Sequence, residues 1–169
     1  MKTKTELKSA LDVILNMYDL HTQLYLNVIE GISEKDAANR LNTKANHIAW
    51  IAGSLVFERF ELARLLGVEL KPSSGELFRD HKGIQDNVIY PSLSEFKKDW
   101  EKISAPLKNT LMHLSEEQLE GPDPFEMPGE DYTLLVSLIF TAHREAYCIG
   151  QIGLYRRLLG YEAMKYPMD

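Results

Sequence analysis

The chain holds a single cysteine, Cys148. One cysteine makes no internal disulfide, and a zinc site built on two or four cysteines is out of reach within the chain. Purely apolar runs fall far short of the roughly 20 residues that a membrane-spanning helix needs. No Lys/Arg cluster stands out, and 19 basic against 25 acidic residues leave a formal net charge of -6. The basic face that neutralises phosphates is missing, so neither nucleic acid nor membrane is expected as a partner. One local arginine is still enough for a small anion. The common catalytic signatures are absent as well: no GxSxG, no P-loop, no GxGxxG after a strand, no HExxH. The start, Met1-Lys2-Thr3-Lys4-Thr5-Glu6, carries charge at once and leads into no apolar segment, so the expectation is a cytoplasmic protein.

What is present reads as one globular domain over residues 1–169. Apolar residues make up 44% and charged residues 26%, close to the globular average, which removes the disordered and low-complexity classes. A chain of this length buries a core without staples.

The apolar residues recur at the helical period. Leu7, Leu11, Ile14, Leu15, Tyr18, Tyr25 and Val28 follow three- and four-residue steps from Thr5 onward, with Gly31 as C-cap. Ser33-Glu34-Lys35-Asp36 offers an N-cap and acids for a short helix. A second long helix is expected from about Lys44 to Leu66, stopped by Gly67. Val68 to Pro91 is loop-like, and loops of that length are often functional. Ser92 and Glu95 open a third helix with a capping box, and Pro106 inside it predicts a kink or a break. Ser115 to Asp131, with Pro122, Pro124, Pro128 and Gly129, reads as a connector. The last helix runs from about Tyr132 to Leu159, with Gly160 as cap. No period-two run is bounded by hairpin turns. The expected fold is all-α: four long helices, long connecting loops and one or two short extra helices.

Two segments carry a resemblance. His143-Arg144-Glu145-Ala146-Tyr147-Cys148-Ile149-Gly150-Gln151-Ile152, continued by Arg156-Arg157-Leu158-Leu159-Gly160, resembles the final helix of the DinB/YfiT-like superfamily. Its members often read H-E-x-x-H-x-G-Q-I and then R-R-L-x-G. Asn46-His47-Ile48-Ala49-Trp50-Ile51-Ala52-Gly53-Ser54-Leu55 is similar to the family's N-S-I-A-W-x-x-G-H-L. The resemblance covers nearly the whole chain and implies a four-helix bundle, often dimeric, so a homodimer is expected from it. Many members bind nickel or zinc through three histidines, one on the second helix and two on the last. Some transfer low-molecular-weight thiols such as bacillithiol, and others are mycothiol-dependent isomerases.

Carried over residue by residue, the same resemblance removes the metal. The second-helix ligand position is Ser54, and the two last-helix positions are Arg144 and Cys148. A neutral hydroxyl is a poor ligand for zinc or nickel, and Arg is a fixed cation. No cofactor is therefore expected, unless His47, His143 and Cys148 form a displaced nickel or zinc site. His47 lies seven residues before Ser54, two turns and roughly 10 Å away along the helix, so those three converge poorly.

Arg144 and Cys148, four residues apart, share one helix face. One reading makes Cys148 a reactive thiol, or Arg144 the centre of a pocket for a carboxylate, a phosphate or a low-molecular-weight thiol. The other makes Cys148 a small buried hydrophobe and pairs Arg144 with a buried acid such as Glu58, one turn beyond Ser54. Three functions follow: a metal-free protein that binds a small anion, a hydrolase or thiol transferase with a displaced metal, and a non-catalytic interaction module whose site is filled. His21, His81 and His113 are expected to serve packing or surface roles. The helix-interior glycines Gly53, Gly150 and Gly153 are expected to mark close helix–helix contact.

Overall fold

A computed structural model describes residues 4–126 and 132–167. The side chain of His81, and Pro128, Gly129 and Asp131 of the expected connector, lie outside the described residues. The protein is all-α, with helices α1 (Lys4–Ile29), α2 (Glu34–Ala37), α3 (Ile48–Leu65), α4 (Leu93–Met112), α5 (Glu116–Glu120) and α6 (Leu134–Leu158). Among the described residues there is no strand, and the sole β-type pairing is an isolated bridge between Pro122 and Thr133.

The ends of the helices follow from local chemistry. α3 begins at Ile48, four residues later than Lys44. The carbonyls of Lys44 and Ala45 accept from the Arg40 guanidinium at 2.7 and 2.9 Å, and His47 is extended. His47 Nδ1 accepts the Trp50 N–H at 3.0 Å, so the imidazole caps one of the free donors of the first turn. α3 and α6 both end in a left-handed glycine. After α3, Gly67 has φ +88 and the Val68 N–H returns to the Ala63 carbonyl at 2.8 Å. After α6, Gly160 has φ +88 and the Tyr161 N–H returns to Arg156 at 3.0 Å.

Pro106 does not break α4, which runs unbroken through it. The carbonyl that Pro106 leaves without a helical donor belongs to Lys102, on the exposed side, while Ile103, Leu107 and Leu111 on the other side are buried. The expected connector contains a helix of its own. Ser115 and Gln118 form a capping box, and Leu119 of α5 is buried in the core.

The four long helices pack in a ring: α1 lies against α4 and α6, and α3 against the same two. The buried stripe of α1 is Leu7, Leu11, Ile14, Tyr18, Tyr25 and Val28, meeting Trp100, Ile103 and Leu107 of α4 and Ile149 and Ile152 of α6 in one core.

The long segment between α3 and α4 is tied down. Asp99 accepts both the backbone N–H and the hydroxyl of Ser73 at 2.7 Å. Phe78 is buried and packs edge-on to Phe96 at 6.1 Å. A Cβ at Gly53 would lie 2.5 Å from Phe96 Cζ and in conflict with Phe78, so only glycine admits these two rings against α3.

Candidate functional site

Ser54, on α3, and Arg144, on α6, face each other, as the resemblance requires of its ligand positions. What lies between them is an ion pair. Arg144 Nη1 donates to Glu58 Oε2, and Nη2 reaches Ser54 Oγ at 3.5 Å. Ser54 donates its own proton to the Ile51 carbonyl at 2.9 Å, a common habit of serine inside a helix. The side chains of Arg144 and Glu58 keep 28% and 20% of their exposure, so the pair sits at the edge of the core. Burial pushes the Glu58 carboxyl up from 4.5 to about 7, with Arg144 pulling it down and Glu145 pushing it further up.

Cys148, one turn from Arg144, belongs to the apolar core cluster. Burial raises its thiol above the ordinary value; Arg144 opposes this, while Glu58 and Glu145 add to it. The result is a protonated, weakly nucleophilic thiol.

The other two candidates lie elsewhere. His47 is spent as the cap of α3 and meets the Tyr90 ring edge-on at 5.1 Å, with burial lowering its pKa. His143 is exposed on α6. Among the described residues no group of three His, Cys, Asp or Glu is placed to hold a metal. The donor set at Ser54, Arg144 and Cys148 does not fit nickel or zinc: a hydroxyl committed to a carbonyl, a cation and a protonated thiol.

The most heavily built polar cluster was not among the sequence candidates. Arg59 of α3 is 1% exposed and grips Glu145 of α6 with two parallel bonds, Nε to Oε1 at 2.5 Å and Nη2 to Oε2 at 3.0 Å. Its Nη1 donates to Thr22 Oγ1 of α1 and Ser104 Oγ of α4, both at 2.8 Å. The guanidinium is sandwiched between the Tyr18 ring at 3.9 Å and the Trp100 ring at 3.5 Å. His21 of α1 adds a third contact to Glu145, 3.2 Å from Nδ1 to Oε2. Tyr18 OH donates to the Ser104 carbonyl at 3.0 Å, and Trp100 Nε1 to the Thr22 carbonyl at 3.1 Å. All four long helices thus meet in one hydrogen-bonded network.

Burial alone pushes the Glu145 carboxyl up, but the charge of Arg59 and the bonds from His21 and Arg59 outweigh it and hold it below the ordinary range. Burial pushes Tyr18 up to about 12. A cavity of about 20 Å³, lined in part by Tyr18, Arg59, Thr141 and Glu145, has room for one water. Among the described residues, the one buried side-chain polar atom without a partner is Trp50 Nε1, outside this network. The network is therefore closed on itself: it satisfies its own members and presents no free donor to a ligand.

A signal for it exists in the sequence. His21 lies between Tyr18 and Tyr25 on the α1 stripe, and Glu145 between Ala142 and Cys148 on the buried face of α6. Charged residues in such places need partners. The partners are 86 and 124 residues away, and one helix's periodicity does not name them.

The larger cleft, about 430 Å³, is open and lies between the end of α3 and the α4–α5 turn, lined by Leu65, Asn109, Thr110, His113, Leu114 and Gln118 among others. His113 there is exposed, its Nδ1 2.7 Å from the Asn109 carbonyl. Neither cavity is lined by Ser54, Arg144 or Cys148. No helix among the described residues is long and apolar enough to cross a membrane. Comparison with protein-family models, with curated proteins and with solved structures finds no match.

Proposed function

We propose that this chain is a DinB-like four-helix bundle whose metal centre has been replaced by an ion pair, and that it works as a non-catalytic interaction module. The observation that carries this reading is the ion pair that Arg144, at one of the family's ligand positions, makes with Glu58, one turn from another at Ser54. A metal entering there meets a guanidinium instead of an imidazole. An anion entering there has to displace Glu58 and leave a desolvated carboxylate behind, which costs several kcal/mol. The Arg59–Glu145 network supports the same reading, because it devotes the buried charges to joining helices. The buried, protonated Cys148 speaks against thiol transfer.

One observation favours a second reading. A Glu58 carboxyl pushed up to about 7 becomes neutral as the pH falls, and Arg144 then has charge to spare for a carboxylate or phosphate. In that reading the former metal pocket binds a small anion below pH 7.

Metal analysis by mass spectrometry on untagged protein, purified without chelators, tests the main reading. The wild-type chain should carry less than about a tenth of an equivalent of nickel or zinc, and the Ser54→His/Arg144→His/Cys148→His variant close to one. One equivalent in the wild type sinks the ion-pair reading. A folded variant that binds no metal sinks the DinB-like assignment of these positions. Titration with inorganic phosphate at pH 6 and pH 8 addresses the second reading: binding at pH 6 that disappears in Arg144→Leu supports it, and no binding at either pH removes it.

A further inference from the structure

Between α3 and α4 the chain forms only two single turns of 3₁₀ helix, Gly75–Leu77 and Arg79–His81. This segment is anchored near its two ends, where Ser73 bonds to Asp99 and Ser92 caps α4. Between those anchors its bonds are mostly local. The Gln85 side chain donates to the Leu77 carbonyl, the Gln85 N–H to the Tyr90 hydroxyl and Lys82 to the Glu76 carbonyl, while Asp86 meets Arg40 at 3.4 Å in solvent. Among the described side chains from Val68 to Pro91, only Phe78 is buried.

Phe78 enters a slot that α3 and α4 build without it. Trp50 and Phe57 of α3 and Phe96 of α4 hold their ring centroids 6.1 to 6.4 Å from that of Phe78. The floor is Gly53, where a Cβ would lie 2.4 Å from Phe78 Cζ. Two packed helices thus keep a space for one flat ring, and the ring that fills it comes from an irregular segment.

The filling is incomplete in one respect. Trp50 Nε1 is buried and, among the described residues, is the one buried side-chain polar atom without a hydrogen-bond partner. A buried donor left unpaired is costly and uncommon. A phenyl ring has no lone pair, so Phe78 cannot supply the acceptor. A ring that carries an acceptor oxygen can both fill the slot and take the indole proton. Trp50, Gly53, Phe57 and Phe96 bring no charge, so the ring that suits them is neutral.

We propose that Phe78 is a displaceable plug, and that the slot over Gly53 binds a small neutral aromatic compound bearing an acceptor oxygen, of the aryl ketone kind. Residues 74–87 swing out between their anchors while α3 and α4 stay in place. The slot is free only in molecules whose Phe78 is out, so the apparent affinity is the intrinsic one reduced by that fraction. This goes beyond the interaction module proposed above. It shares no residue with the Arg144–Glu58 pair, so the metal measurement and the one below fail independently.

Acetophenone and isopropylbenzene have nearly the same shape and differ by the carbonyl oxygen. In nitrogen-resolved NMR spectra of the full chain, acetophenone at up to about 10 mM should shift the Trp50 indole N–H saturably. The Trp100 indole, already bonded to the Thr22 carbonyl, should stay in place and serves as the internal control. Phe78→Ala, with the plug removed, should bind acetophenone at least about tenfold more tightly. In that variant acetophenone should be preferred over isopropylbenzene by at least about threefold, although the hydrocarbon is the more hydrophobic, and in Phe78→Ala/Trp50→Phe the order should reverse. Helical circular dichroism checks that the variants fold, and the wild-type titration decides without them. A wild-type chain that binds no acetophenone at about 10 mM overturns the proposal even where Phe78→Ala binds it, because the substitution alone would then have made the cavity. A saturable shift confined to Trp100, a folded Phe78→Ala that binds no more tightly than the wild type, or a preference of that variant for isopropylbenzene overturns it as well.

Discussion

Cutting one side of the Arg59–Glu145 pair should be among the most damaging single changes this protein can suffer. In Glu145→Gln the shape is kept and the countercharge removed. Arg59, 1% exposed, then holds a cation between two aromatic rings with only hydroxyls and an amide for company. Breaking a buried pair in this way costs about 3–5 kcal/mol. Total stability for a domain is about 5–15 kcal/mol, so about a fifth of it or more is at stake. For a chain of this size each kcal/mol moves the melting temperature by about 2–4 °C, which predicts a fall of about 6–20 °C. Arg59→Met should cost a similar amount at pH 7, and less at pH 5, because the stranded Glu145 carboxyl can escape by taking a proton. In Arg59→Met/Glu145→Leu neither charge is left, and the loss should be smaller than the sum of the singles by at least about 2 kcal/mol. Urea unfolding followed by circular dichroism, for all four proteins at pH 5 and 7, measures every one of these terms. Singles that cost under about 1 kcal/mol, or a double that equals their sum, would refute the claim that this pair joins α3 to α6.

Three other outcomes follow from the same geometry. Glu58 holds its proton more tightly folded than unfolded, so it contributes stability below pH 4.5 that is lost as the pH rises through about 7; the loss is at most about 3 kcal/mol, and Glu58→Gln should flatten the urea-midpoint profile between pH 5 and 8, an unchanged slope counting against the assignment. Gly53→Ala should destabilise by about 1–3 kcal/mol despite alanine's better helix propensity, since the Phe78 and Phe96 rings occupy the space of its Cβ; a stabilised variant would show that the rings yield. Cys148 should react with Ellman's reagent at least about tenfold more slowly than a free thiol until denaturant is added, and rapid labelling of the native protein would show that burial does not protect it.

The helices were legible because each needs only its own period. Their ends were less so, for reasons that lie outside local pattern. The α3 start moved to Ile48 because Arg40 takes two carbonyls and His47 turns its imzidazole nitrogen to the Trp50 amide, and neither act shows in hydropathy. α5 was missed although Ser115 and Gln118 spell its capping box, since the prolines that follow dominate the composition. At the site, the Arg144–Glu58 partnership was legible as one of two alternatives, because Glu58 lies one turn from Ser54. The Arg59–Glu145 pair was not, although each residue sits beside a member of the legible one. Glu58 and Arg59, like Arg144 and Glu145, are neighbours in sequence that a helix turns about 100° apart.

That turn separates two kinds of charge. The outer pair keeps 20 to 28% of its side-chain exposure and holds a carboxyl pushed up to about 7. The inner pair is sealed, and its carboxyl is held low by Arg59 and His21. The inner pair can therefore fix the helices across the physiological range while the outer one changes state. A perturbation of Glu58 should alter pH response with little change in helix packing, and a perturbation of Glu145 should do the reverse. Gly53 and Gly150 divide in the same manner. Both are helix-interior glycines in sequence, yet the first is filled by Phe78 and Phe96 from within the chain and the second faces open space. Of the two, only the first has its size set by packing within the chain.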